Sequence, residues 1–243
     1  AETIGSLSGA GSVVLSGNLT VGNANSTTFS GAISSTNTSG VTKVGSGTLT
    51  LTGNNTYTGD TTISAGGLTL NRSGGALSDN TAVTVASGAT LTLSTNDTVG
   101  SVAGAGTVAL GSSLLTLGGD NTSTTLSGNI TGASGGSIKK MGSGTLTLSG
   151  TNSYVGGTDF VAGRLVAASV NALGTGGISF TNGTTLELAA SGTYANYIDL
   201  AASATFDVNT GINAVLSNTV DGAGNLTKMG AGILTLSGTQ SGS

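Results

Sequence analysis

Short runs in which apolar and polar residues alternate recur along the whole chain, with turn signals rich in glycine, serine and asparagine between them. They include Val13 to Leu15, Leu19 to Val21, Val41 to Val44, Thr48 to Leu51, Thr62 to Ser64, Leu68 to Leu70, Ala82 to Val85 and Thr90 to Leu93. Further along come Leu114 to Leu117, Thr145 to Leu148, Thr158 to Val161, Thr185 to Leu188, Tyr197 to Leu200, Ala204 to Val208 and Ile233 to Leu236. Period-two alternation sends one set of side chains to a core and the other outward, which predicts strands. Runs at about 8 to 12 residue intervals with turn signals between them are the spacing of an all-β protein. Helical spacing is absent almost everywhere. The Ala-rich stretch Val161 to Leu173 contains Gly163 and β-branched residues, and reads as strand and turn.

One such run is written three times with its flanks: Lys43-Val44-Gly45-Ser46-Gly47-Thr48-Leu49-Thr50-Leu51-Thr52-Gly53, then Lys140 to Gly150, then Lys228 to Gly238. The copies begin 97 residues apart (43 to 140) and then 88 apart (140 to 228). Other landmarks keep the same order, Ile4 to Leu15 matching Val99 to Leu110 and Ser26 to Ile33 matching Ser123 to Ile130. The chain is therefore expected to be one continuous body over 1–243 with internal units 4–98, 99–197 and a partial 198–243. The residues expected to carry the repeat structurally are Gly45, Gly47, Leu49, Leu51, Gly53 and Tyr57; Gly142, Gly144, Leu146, Leu148, Gly150 and Tyr154; and Gly230, Gly232, Leu234 and Leu236.

Two β architectures fit alternation. Antiparallel hairpins favour two-residue Asn-Gly or Asp-Gly turns, of which the chain has only Asn182-Gly183 and Asp221-Gly222. A parallel β-helix tolerates variable corners and stacks coil on coil over a continuous apolar column, and it is the better fit. At roughly 20 residues per coil this gives about a dozen coils and a rod on the order of 55 Å. Outward Thr and Ser would then form ladders, and Asn at corners would bond along the axis. Repeat arrays of this kind build elongated scaffolds more often than pocketed enzymes.

Composition narrows the picture. Glycine takes 44 of 243 positions and charged residues 7%, yet 36% of the chain is hydrophobic, which is apolar surface that disordered segments lack. Absence of proline suits a chain whose backbone N–H groups serve ladders. A net charge of −4 argues against nucleic acid as a partner, since that needs clustered Lys and Arg. No run of 18 apolar residues offers a membrane helix. The first residues, Ala-Glu-Thr-Ile, lack the basic and apolar regions of a signal peptide, and the far end follows closely on the third copy, so a segment of a longer protein is expected.

With no His and no Cys, His-based triads, Cys nucleophiles and His or Cys metal sites are excluded. Serines abound, but no base can be nominated beside one. Among ten carboxylates, Asp60 and Asp159 are expected in comparable turns and Glu187 and Asp207 on outward strand positions, with nothing convergent. Gly118-Gly119-Asp120 and Gly156-Gly157-Thr158-Asp159-Phe160 only partly echo a calcium-binding nonapeptide. Gly9-Ala10-Gly11 and Gly104-Ala105-Gly106 imitate part of a dinucleotide fingerprint, but a strand follows where a helix should begin. Thr90/Thr92 and Thr145/Thr147 are interrupted versions of an ice-binding row. No catalytic, cofactor or metal residue is assigned, and Tyr57 and Tyr154 are expected to pack at corners over the apolar column.

The stretch Gly45 to Leu68 resembles the passenger-associated transport repeat, also called the autotransporter-associated β-strand repeat, whose pattern reads G-x-G-T-L-x-L-x-G-x-N-x-Y-x-G-x-T-x-I/V-x-x-G-x-L. The second copy keeps Asn152, Tyr154, Gly156, Thr158, Phe160, Gly163 and Leu165. The third keeps Gly230, Gly232, Leu234, Leu236 and Gly238, with Gln240 in place of Asn. The resemblance implies a right-handed, single-stranded parallel β-helix from the passenger of a type V secreted protein of a Gram-negative bacterium. Such a passenger crosses the outer membrane with a C-terminal translocator barrel in cis and is displayed at the cell surface. The expected function is a non-enzymatic extracellular scaffold that assists its own secretion and displays adhesive regions, with host surfaces or further copies of itself as partners. A self-associating subunit of an extracellular filament or surface layer is the alternative, and a carbohydrate-active β-helix a distant third.

Overall fold

A computed structural model describes residues 1–133, 135–181 and 183–241. Among them there is no helix, and every paired strand runs parallel to its neighbours. A 12-stranded sheet extends from Glu2–Ile4 to Leu226–Met229 without interruption, and we call its side of the molecule face I. Face II carries a six-stranded sheet bounded by Thr27–Phe29 and Ile130–Thr131, and a three-stranded one from Gly192–Tyr194 to Ile233–Leu236. Face III carries the pair Val13–Leu15 and Ile33–Ser35, then an eight-stranded sheet from Asp97–Thr98 to Gln240–Ser241. Each coil visits the faces in one order, as in Leu19–Val21, Thr27–Phe29 and Ile33–Ser35. The protein is a β-solenoid of about 12 turns, and twelve strands about 4.8 Å apart make a ladder on the order of 55 Å.

Strands of three to five residues alternate burial because alternate side chains face inward. Thr48–Leu51 buries Leu49 and Leu51 and turns Thr48 and Thr50 outward. Stacked in register, inward residues form continuous ladders: Leu49, Leu68, Leu91, Val108 and Ile130 succeed one another on face II. Outside the same sheet run Thr28, Thr50, Thr69 and Thr92. The rings of Phe160, Phe180 and Phe206 meet inside the column at 5.8 and 5.3 Å between centroids, a tilted packing that aromatic rings prefer.

Coil length is not constant. Val102 sits over Val83, 19 residues on, whereas Val41 sits over Leu19, 22 residues on. Glycines absorb the difference at corners where backbones nearly touch: a Cβ on Gly31 would lie 1.7 Å from the Gly11 carbonyl oxygen. Of the two hairpin-type pairs, Asn182 lies outside the described residues and Asp221 ends the parallel strand Val220–Asp221. The stretch 161–173 holds one strand, Arg164–Ala167, followed by turn. Short strands such as Ile33–Ser35 and Thr124–Leu126 lay below the sequence pattern, because serine or threonine takes an inward place there.

The copies of the repeated run do not sit above one another. The Lys43 strand, Val41–Lys43, is on face I and Thr48–Leu51 on face II. In the second copy Ser137–Lys140 is on face III and Thr145–Leu148 on face I. The third copy returns to faces I and II. The 97-residue spacing therefore amounts to four coils and two faces, and the 88-residue spacing to four coils and one face.

Candidate functional site: the repeat corner

Lys43 closes a strand whose odd residues point inward, so its side chain enters the core ladder between Val21 and Ile63. An ammonium there needs hydrogen-bond acceptors. The corner that follows supplies them: Lys43 Nζ donates to the carbonyls of Val44 at 2.7 Å, Gly45 at 2.9 Å and Ala65, one coil on, at 3.2 Å. Lys140 repeats this with Met141 at 2.7 Å, Gly142 at 3.1 Å and Ala162 of the next coil at 3.1 Å. Lys228 bonds Met229 and Gly230 at 3.1 and 2.9 Å and is exposed on the final coil. Burial pulls Lys43 below the ordinary lysine range and Lys140 down to about 8, the Asp120 carboxylate opposing the latter shift.

The glycine after each lysine makes the cage possible. Gly45, Gly142 and Gly230 have φ of 72°, 68° and 74°, the left-handed region that turns the carbonyl back toward the ammonium. Gly47, Gly144 and Gly232 lie against the preceding coil, where a Cβ would meet a backbone oxygen at 2.2, 2.2 and 2.3 Å. Gly53 and Gly150 do the same at the far end of the run. Leu49, Leu51, Leu146 and Leu148 are buried in the column, while Leu234 is partly covered and Leu236 exposed on the final coil.

Past the leucines the ladder is broken and a side chain mends it. Asn55 and Asn152 lie on coils that pass face III and face II without a strand. Asn55 Oδ1 accepts from the Ile33 N–H one coil back at 2.9 Å, and its Nδ2 donates to the Ala76 carbonyl one coil on at 2.7 Å. Asn152 likewise joins the Ile130 N–H at 2.7 Å to the Ala172 carbonyl at 2.5 Å. Tyr57 and Tyr154 are fully buried at these corners, their hydroxyls against Thr61 and Thr158 at 2.5 and 2.8 Å. Burial raises both phenols, Tyr154 to about 12. In the third copy Gln240 reaches only the Gly238 carbonyl, as Asn55 does that of Gly53.

The lysine cage is absent from the sequence-based expectations, which give Lys43, Lys140 and Lys228 no role. Its signal is nevertheless in the chain, since each copy begins with a lysine two residues before the first glycine of Gly-x-Gly. The carboxylates differ from expectation in two places. Asp60 precedes a strand and Asp159 lies within one, Thr158–Phe160, outward and paired to Lys139 at 2.9 Å. Glu187 and Asp207 do converge: adjacent on face I, both meet the Arg164 guanidinium, at 2.7 and 2.6 Å. The guanidinium thus bridges two carboxylates from consecutive coils, tying three neighbouring strands of face I together by charge-assisted hydrogen bonds. No group of three Asp, Glu, His or Cys side chains capable of holding a metal ion occurs among the described residues.

Taken together, the parallel coils and the lysine and asparagine corners define a solenoid built on an internal repeat. The family model of the passenger-associated-transport-repeat matches residues 41–70, 138–167 and, over a shorter span, 226–243, each match opening two residues before Lys43, Lys140 or Lys228. The chain is also similar to the adhesin BmaC autotransporter of Brucella suis biovar 1 (strain 1330), 38% identical over 124 residues. That match covers 51% of this chain and 4% of the relative.

Proposed function

We propose that the chain is a non-enzymatic segment of an autotransporter passenger, a stem displayed at the bacterial surface that supports its own secretion and holds adhesive regions away from the membrane. An outer-membrane translocator barrel in the same polypeptide would deliver it. The carrying observation is that the first two repeat corners are completed by the next coil: the Lys43 and Lys140 cages take their third carbonyl from Ala65 and Ala162, and Asn55 and Asn152 bond both neighbours. A coil emerging at the cell surface thereby locks the one before it, and folding outside opposes return through the pore, as any step that removes the unfolded chain draws the equilibrium forward. The similarity to an adhesin autotransporter supports the display role.

The test places wild-type and Lys43→Met/Lys140→Met/Asn55→Ala/Asn152→Ala segments within a complete passenger. Surface display is read by antibody on intact cells against total protein. Display should fall several-fold in the variant, and adherence of cells to host matrix should fall with it. Equal display of both would remove the secretion role, and display without adherence would remove the adhesive one.

A further inference from the structure

We propose that the segment binds a neutral saccharide in a groove on the outer surface of face III; the idea rests on the adhesive reading above and gives it a ligand class. The groove has a volume of about 460 Å3, within the roughly 300–1,000 Å3 of small-molecule sites. Its floor is backbone, because Gly156, Gly157 and Gly177 place no side chain over it. Its wall is the ring of Tyr197, which lies close enough to Gly177 that a Cβ there would be 3.2 Å from the ring. Tyr197 donates to Asp221 at 3.4 Å, which holds the ring at its post. It is 38% exposed, whereas Tyr57, Tyr154 and Tyr194 are at most 1% exposed.

Along the groove, parallel register stacks Lys139, Asp159, Ser179 and Asp199 as consecutive outward residues. Lys139 pairs with Asp159 at 2.9 Å, and Ser179 donates to Asp199 at 3.1 Å, leaving Asp199 with no cation among the described residues. A flat ring wall beside a row of hydroxyl, ammonium and carboxylate groups suits a pyranose: its C–H face lies on the aromatic ring and its hydroxyls pair with the row. The groove is on the face of a sheet, so the strand backbones beneath it are already paired and offer a peptide no ladder to join. One lysine against two aspartates leaves a net negative row, which repels acidic sugars and favours neutral ones.

The probes are lactose, maltotriose, cellotriose and tri-N-acetylchitotriose, titrated into the wild-type segment by saturation-transfer NMR and by tyrosine emission. That emission has no tryptophan to mask it, and Tyr197 is its one solvent-reached source. At least one probe should bind in the millimolar range or tighter. Tyr197→Ala should weaken it at least tenfold and Asp199→Asn about threefold. Ser179→Arg, an outward change that fills the groove and spares the core, should abolish it, and Asp79→Asn should change nothing. Thermal melts show whether each variant is folded. Failure of all four sugars at about 20 mM, or binding indifferent to Ser179→Arg, overturns the groove. Cells that still adhere after such a result leave the adhesive reading standing, whereas sugar binding without adherence removes that reading and leaves the groove.

Discussion

Replacing Lys140 with methionine keeps the length and apolar stem of the side chain and removes only the ammonium. Three carbonyls, those of Met141, Gly142 and Ala162, then lose their donor. Hydrogen bonds to a charged group contribute about 1.5–3 kcal/mol each, so the cage supplies on the order of 6 kcal/mol. Against it stands burial of the charge. The fall of the Lys140 pKa from 10.5 to about 8 corresponds to roughly 3 kcal/mol, less once solvent at this partly open corner screens it. The difference is a net loss of about 3 kcal/mol for Lys140→Met. Lys228→Met is the internal control: with two bonds and an exposed ammonium it should cost under about 1 kcal/mol. Urea melts followed by circular dichroism give both values, and hydrogen exchange should place the Lys140→Met loss in the coils around 137–167. The pH dependence has a definite sign. A pKa lower in the folded state means the unfolded chain holds more protons between pH 8 and 10.5, so the Lys140 contribution grows as pH rises through that window and stays low below it. The wild type should gain on Lys140→Met between pH 8 and 10. Equal costs at Lys140 and Lys228 would refute the cage, and a gap that narrows over that range would refute the burial penalty on its ammonium.

Gly31→Ala should cost more than about 4 kcal/mol or prevent folding, because the new Cβ would stand 1.7 Å from the Gly11 oxygen. Gly88→Ala, with φ of 81° and open space, should cost only about 1 kcal/mol; comparable melts for the two would contradict the stacking geometry. Asn152→Asp exchanges the donor aimed at Ala172 for an acceptor, so a loss of about 2–4 kcal/mol at pH 7 should shrink as acid protonates the new carboxyl, read by melts at pH 4 and 7. Tyr154→Phe strands the Thr158 hydroxyl for about 1–2 kcal/mol. Because Tyr57 and Tyr154 titrate higher in the folded state, their contribution is complete below pH 10 and lost above it, and alkaline unfolding of the wild type should begin there.

Much of the fold was legible because it rests on period-two patterns and on glycine. Thr48–Leu51, Ala82–Val85 and Ala204–Val208 fall where alternation placed them. The scarcity of two-residue turns pointed correctly to parallel coils. What stayed hidden depends on partners about 20 residues away. Lysine in an inward position contradicts the hydrophobic pattern until the carbonyls of the following corner are in view, and nothing local shows that Ala65 will meet Lys43. The convergence of Glu187 and Asp207 on Arg164 likewise needs the register of three coils. The tyrosine-walled groove escaped because Tyr197 lies outside the repeated run and its glycine floor comes from two other coils.

The rotation of the repeat among the faces separates what secures the rod from what it shows to its surroundings. Lys43 and Lys140 do the same work inside, yet their outward neighbours, Thr42 and Lys139, look in different directions and carry different chemistry. No receptor lying along a single side could read all three copies as equivalent, so the motif is mute to the exterior. Whatever the rod presents to its surroundings is carried by unrepeated outward residues, which can change without touching the lysine and asparagine corners that close the coils.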